Sequence, residues 1–386
     1  MAKLHIFNPE NDLALAANVA RYTPPPAAVS LRLSGALLPL WWADPLYDFV
    51  LVPHQLIDEA LYVTDKFSLA TPVTPASLPH LHIAGIAPWG WSKAICNELI
   101  HCGLSKDIFP SESSLDNIRM LSSRLSTVEL LSRLSPRLPY PLPALPCKLT
   151  NENDCKMALA ENPALFIKAP WSSSGRGVFC TSSMTCDDTL RRCMGIIRRQ
   201  GFVMSEVALD KVQDFAMLYE SDGCGHVTFV GYSLFHTNSS LTSYSSNVLM
   251  TDDEIVAHLS GISGLDTGLF HTTETAVGSA LAEIVGDVYS GPLGVDMMIY
   301  CTGTEMLINP CVEINLRRTM GFVAHDLRQR LLPENVTGVF SVTPHASNTG
   351  KTLPPPRFTN GKLTDGRLFL SPSSSPFDIT VSVGSD

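Results

Sequence analysis

Paired cysteines, a basic excess and long apolar runs are all missing from this chain of 386 residues. Its ten cysteines are scattered and form no Cys-x-x-Cys pair, so no metal or disulfide framework follows. Cys96 with Cys102, and Cys180 with Cys186, are merely near in sequence. A reducing cytoplasm is the expected location. Lys and Arg number 27 against 37 Asp and Glu, a formal charge of −10, which argues against a general nucleic-acid binder. No apolar run reaches membrane-spanning length; the longest candidate, 33–53, is broken by Pro39, Asp44, Pro45 and Asp48. The first residues turn polar too soon for a signal peptide. The zinc-protease helix motif, the nucleophile elbow and the dinucleotide-binding glycine signature are also missing. Gly350, Lys351 and Thr352 imitate the end of a P-loop. However, His345 occupies the first glycine position and Pro354 to Pro356 follow where a helix should start.

What remains is a rather apolar globular chain, 45% hydrophobic and 17% charged, with room for two or three domains. Lys3 to Phe7 reads as a strand, Asn8 to Asp12 as a polar turn, and Leu13 to Ala20 as a helix, a common opening for an α/β domain. Residues 49–52 and 82–86 read as further strands, and 92–102 as a helix ended by Gly103. Apolar residues from Leu115 to Leu134 recur at helical spacing. The four prolines of 135–146 predict an extended connector. Alternating strands and helices follow, with strands at 165–168, 178–180, 202–207, 213–219, 227–235, 294–300, 306–308 and 312–315. Helices are expected at 187–200 and 274–289. From about Leu331 the chain turns to Pro, Ser, Thr and Gly, with a last strand at 379–383 expected on a sheet edge.

Two stretches carry chemistry. The strand 165–168 delivers Lys168 to a loop containing Ser172, Ser173, Ser174, Gly175 and Gly177. Small residues let backbone N–H groups approach an anion, the serines add donors, and the lysine supplies a point charge, all of which suit a polyphosphate. The second stretch pairs Asp296, on an otherwise apolar strand, with Glu313 and Asn315. Period-two geometry puts Glu313 and Asn315 on one face, and pairing of the two strands would bring three oxygen-bearing side chains together as magnesium ligands. Arg317 and Arg318 follow; one is expected to clamp a transferring phosphoryl group or a substrate carboxylate and the other to form a structural ion pair. Arg317, on the odd-numbered face with Glu313 and Asn315, is preferred as the catalytic residue beside Lys168.

These motifs, in this order from about Leu115 to Ala324, resemble the ATP-grasp superfamily. The resemblance implies an α/β and α+β multidomain fold, with an N-terminal α/β domain (1–112), ATP-grasp subdomains A (113–200) and B (201–330), and the Pro/Ser/Thr/Gly-rich tail (331–386). Lys168 resembles the family's lysine on the inner phosphates, and Arg124 stands where a second phosphate-binding cation is common. Glu206 and Val207 resemble the hinge near the adenine, and Asp214 the acid on the ribose, shorter here than the usual glutamate. Asp296, Glu313 and Asn315 resemble the magnesium ligands. The Asn8–Asp12 turn and the segment Pro88–Ser92 are expected on the acceptor side, where Trp89 and Trp91 either line the cleft or pack the domain interface. Tyr244 and Asn247 are weaker candidates for substrate contact.

The implied activity is an ATP- and Mg2+-dependent ligase. It activates a small carboxylate as an acylphosphate for attack by an amine or thiol, without nucleic acid or membrane, and a homodimer is compatible with it. A small-molecule kinase and a nucleotide-binding module without turnover are the alternatives.

Overall fold

The structure, a computed structural model, describes residues 2–162, 164–172, 177–237, 244–345 and 354–384. Ser173, Ser174 and Gly175, and the P-loop imitation at 350–352, lie outside the described residues.

The N-terminal domain is a parallel sheet under helices. Strands β1 (Lys3–Ile6), β2 (Phe49–Leu51), β3 (Thr71–Val73) and β4 (Gly85–Pro88) lie in the order β3-β2-β1-β4. Leu4, His5 and Ile6 are all buried, as expected of a central parallel strand covered on both faces. Asp48 closes the polar end by accepting from the Lys3 N–H at 2.9 Å and bonding His5 Nε2 at 2.8 Å. Helices α1 (Asn11–Ala17), α2 (Pro26–Ser34), α3 (Ile57–Phe67) and α4 (Lys93–His101) connect and cover the strands. The fourth strand falls three residues later than the apolar run at 82–86 suggests, because pairing with β1 places Ala87 opposite His5. At Gly35, just after α2, a Cβ would sit 2.2 Å from Cε1 of the buried Phe7 ring. Gly35→Ala is therefore expected to lower stability by about 1–3 kcal/mol through overpacking, read as a fall in thermal midpoint.

The helical spacing at 115–134 resolves into two helices, α5 (Glu112–Leu121) and α6 (Leu125–Leu134). Ser122 and Ser123 make the break, with the Ser123 N–H bonding Met120 O at 3.1 Å. Arg124 then occupies the N-cap of α6, where its side chain can leave the helix surface.

A small antiparallel sheet follows. Strands β5 (Cys147–Leu149), β6 (Leu165–Lys168), β7 (Val178–Cys180) and β8 (Val203–Val207) lie in the order β5-β8-β6-β7. Helices α7 (Glu152–Glu161) and α8 (Cys186–Gln200) back this sheet, and Leu190, Cys193, Ile196 and Ile197 give α8 its buried stripe. Ile167 and Phe179 join that core, so Phe166 and Lys168 face the other way.

The remaining strands form one sheet of nine among the described residues. Its members are β9 (Asp210–Asp222), β10 (Val227–Thr237), β11 (Tyr244–Leu249), β12 (Ser290–Thr302), β13 (Glu305–Asn315), β14 (Gly338–Pro344), β15 (Arg357–Thr359), β16 (Lys362–Phe369) and β17 (Phe377–Val383). They run in the order β13-β12-β9-β10-β11-β14-β17-β16-β15. Helices α9 (Asp252–Ser263) and α10 (Thr267–Val285) pack with α6 on one face. Helix α11 (Met320–Leu331) joins the core that the tail strands share with the N-terminal domain. The two short strands expected at 306–308 and 312–315 are one strand, β13, with a bulge around Pro310 to Val312 where the register shifts between Asp296 and Met298. Proline is tolerated there because β13 is an edge strand. The last strand is not an edge: β17 pairs with β14 on one side and β16 on the other.

Candidate active site in the cleft between the two antiparallel sheets

A cavity of about 520 Å3 opens between the small sheet and the nine-stranded sheet. Strand alternation decides what faces it. From the small sheet come Phe166 and Lys168, with Val178 opposite Lys168 and Glu206 opposite Phe166. From the large sheet, Ser233, Ala216, Asp296 and Glu313 lie side by side across four strands, since Ser233 pairs with Ala216, Ala216 with Asp296, and Asp296 with Glu313. Met298 and Asp214 form the next row. Val295 and Ile299, on the opposite face, are fully buried in the core behind the sheet.

Among the described residues, the cavity thus brings together Lys168, Arg124, Glu206, Val207, Asp214, Asp296, Glu313, Asn315 and Arg317. Lys168, 6% exposed, forms a short ion pair with Glu206. Arg124, also 6% exposed, donates to Ala169 O at 3.1 Å and Ser172 Oγ at 3.2 Å, and its Nη2 lies 3.0 Å from Glu313 Oε2. One arginine therefore ties the start of the serine loop to the strand that carries the acidic pair. Asp214 is engaged by Lys211, three residues earlier on the same strand, and Thr237 stands 3.4 Å away.

Asp296 accepts from Asn315 Nδ2 at 3.1 Å. Its carboxyl is pushed up to about 7, first by burial and then by the charge of Glu313. Two carboxylates and an amide on adjacent strands, with the buried acid raised by burial and by its charged neighbour, fit a divalent cation whose remaining ligands are phosphate oxygens and water. Residues Asp296, Glu313 and Asn315 would hold it.

The two arginines separate clearly. Arg318 stacks over Trp42, 4.6 Å from the ring centroid, and pairs with Asp326, a structural role. Arg317 lines the cavity and is gripped by Asp12, with Nε at 3.0 and 3.1 Å from the two oxygens and Nη2 at 2.8 Å. Burial would lower its pKa, but Asp12, Glu313 and Asp296 outweigh burial and raise it. Asp12 belongs to the polar turn and helix α1 of the N-terminal domain, so the clamp spans 305 residues of sequence.

Beyond Arg317 the cavity continues to Thr319, Met320 and Gly321 at the start of α11, to Asn247 and Ser233 on the sheet, and to Pro9, Leu31 and Trp89 of the N-terminal domain. Asn247 donates to Ser233 Oγ at 2.7 Å. Trp89 lines the cavity and packs edge-on against Phe7 of its own domain at 4.9 Å. Trp91 packs against the core behind the sheet and does not line the cavity. The backbone of Tyr244 lies in β11, two strands from Asp214. Sequence reading missed Asp12 as the partner of Arg317, because nothing local links the two. It also missed Lys211, because a spacing of three on a regular strand puts two side chains on opposite faces and only the register shift between Lys211 and Gln213 brings this one to Asp214.

Among solved structures, the chain is similar to a biotin carboxylase from Campylobacter jejuni in a β,γ-ATP complex, with TM-score 0.55, 14% identity, and coverage of 100% of this chain and 87% of that one. It is likewise similar to the biotin carboxylase domain of the Hydrogenobacter thermophilus 2-oxoglutarate carboxylase with MgADP and bicarbonate, with TM-score 0.55, 12% identity and coverage of 100% and 86%. The chain has the ATP-grasp fold. A phosphoribosylamine–glycine ligase from Thermotoga maritima shares the ATP-grasp likeness at TM-score 0.50 and 10% identity, covering 100% and 92%. No protein-family profile matches the sequence, and no curated protein matches it. Within this ATP-grasp architecture no helix among the described residues is long and apolar enough to cross a membrane.

Proposed function

We propose that the chain is an ATP-dependent ligase that joins a small carboxylate to an amine or thiol. The observation that carries this reading is the convergence of Lys168, Arg317, Asp296, Glu313 and Asn315 on one cavity between the two sheets. ATP occupies the cleft with its base near Phe166, Val178 and Val207, its ribose near Asp214, and its phosphates along Lys168 and Arg124. Glu206 holds Lys168 until the phosphates arrive. Ser173, Ser174 and Gly175 belong to the same reading as loop donors over the phosphates. A magnesium ion held by Asp296, Glu313 and Asn315 supplies neutralisation of phosphate charge when bound. Arg317, fixed by Asp12, stands at the junction between this part of the cleft and the space bounded by Trp89, Asn247 and the start of α11, where the carboxylate fits.

The substrate carboxylate oxygen attacks the γ-phosphorus of ATP; the bond to the β–γ bridging oxygen breaks and ADP leaves. The acylphosphate carbonyl then takes the lone pair of the amine or thiol, inorganic phosphate departs, and the nucleophile loses its proton. Positioning and charge neutralisation do the catalytic work, so no nucleophilic side chain is required. A cytoplasmic location belongs to this reading, since the described cysteines are all free thiols.

The test is a screen of small carboxylates for ATP-dependent ADP release with hydroxylamine present. A hydroxamate formed in step with ADP is the expected product. ADP formed from an alcohol acceptor, with no hydroxamate from any carboxylate, would make the enzyme a kinase and reject the ligase reading. Lys168→Ala is expected to weaken ATP binding by about 10- to 100-fold, since a charge-assisted contact is worth roughly 1.5–3 kcal/mol. Equilibrium titration with a fluorescent ATP analogue measures it.

A further inference from the structure

The N-terminal domain has a second cavity, of about 200 Å3, that shares no lining residue with the cleft. In the Asn8–Asp12 turn, Pro9 faces the cleft, whereas Asn8, Glu10 and Asn11 line this second space together with Arg32 of α2 and Glu98 of α4. Its two carboxylates share one of its two cations. Arg32 Nη1 donates to both Glu10 Oε1 at 2.9 Å and Glu98 Oε2 at 3.0 Å, so a single guanidinium serves two carboxylates. Glu10 is 7% exposed, and its second oxygen, Oε2, has no hydrogen-bond partner. Arg21 also lines the cavity; it is exposed and makes no ion pair or hydrogen bond among the described residues.

We propose that this cavity binds a small amino acid as its zwitterion, the ammonium group donating to Glu10 and the carboxylate meeting Arg21. An ammonium carries three donors and a full positive charge, which the unpartnered oxygen and the sharing of one guanidinium by two carboxylates both call for. Burial pushes the Glu10 carboxyl up, against the pull of Arg32, and a bound cation would offset that burial. The volume equals roughly six or seven waters at their share of liquid volume, which admits a small amino acid. The inference goes beyond the ligase reading and does not require it, since binding here needs no ATP.

The test is calorimetric titration of the full chain, without ATP and in potassium chloride buffer, using glycine, ethylammonium chloride and sodium acetate as probes. Glycine is expected to saturate a single site, ethylammonium to bind more weakly, and acetate not to bind. Glu10→Gln is expected to weaken glycine binding by about tenfold or more, as loss of a charge-assisted contact implies. Because Glu10→Gln also disturbs Arg32, Ala94→Met serves as a second variant. It closes the cavity from the half-buried face of α4 with both carboxylates intact, and should abolish glycine binding while circular dichroism stays unchanged. No saturable heat from glycine in the wild type, or wild-type binding in either variant, would overturn the proposal. Failure here leaves the ADP assay unaffected, and failure of that assay leaves these titrations standing.

Discussion

Glu313→Gln is expected to cut the turnover number for ADP formation by on the order of 10²–10³-fold, the usual cost of removing one preorganised electrostatic group. The side chain stands at the electrostatic centre of the cleft, 3.0 Å from Arg124 on one side and paired across the strands with Asp296 on the other. An amide keeps the shape and removes the charge. Two consequences follow from that single change. The cation site loses its second carboxylate, so the magnesium concentration needed for half-maximal rate should rise. Asp296, raised to about 7 partly by Glu313, should fall toward the ordinary carboxylate range once that charge is gone. Steady-state ADP release against magnesium concentration reads the first consequence, and unchanged kinetics in this variant would remove the proposed metal site. In the wild type, EDTA should stop ADP formation and added magnesium should restore it.

Asp12→Ala is expected to cost stability as well as activity. The Arg317 side chain is only 17% exposed, and Asp12 supplies its three shortest hydrogen bonds. Removing one partner of a buried pair leaves an uncompensated charge, a loss of about 3–5 kcal/mol. Glu313 and Asp296 also act on Arg317, so the lower end of that range is expected. Urea unfolding followed by tryptophan fluorescence measures it. The double variant Asp12→Ala/Arg317→Ala should lose much less than the sum of the two single changes, because the second removes the charge that the first strands. Strict additivity would show that the clamp contributes nothing as a pair. In kinetic terms, Asp12 acts through Arg317 and is a positioning residue: Asp12→Asn, which keeps one acceptor oxygen, should retain part of the activity lost in Asp12→Ala.

Alternation alone told which residues of a strand share a face. It placed Glu313 with Asn315, and it put Lys168 at the end of a strand beside a donor-rich loop, because strand geometry is a local property with period two. The pairing of Asp296 with Glu313 needed the register of β12 against β13, and that register includes a bulge around Pro310 that local pattern read as two strands. The break between α5 and α6 was hidden for a related reason. Leu115 to Leu134 keep helical spacing through it, and only the tertiary setting directs Arg124 out to Ala169, Ser172 and Glu313.

By itself, then, the sequence determined the inventory of the cleft: a cation beside a loop, two carboxylates and an amide on strands, and a pair of arginines. Those features depend on neighbours a few residues away, which periodicity and turn chemistry report. Only the tertiary structure decided which arginine faces the cleft, that Asp12 holds it, that Arg124 bonds Glu313, and that β17 lies inside a sheet rather than at its rim. Each of these joins segments far apart along the chain. A buried charge takes whichever partner packing brings within reach, and no local pattern encodes that choice.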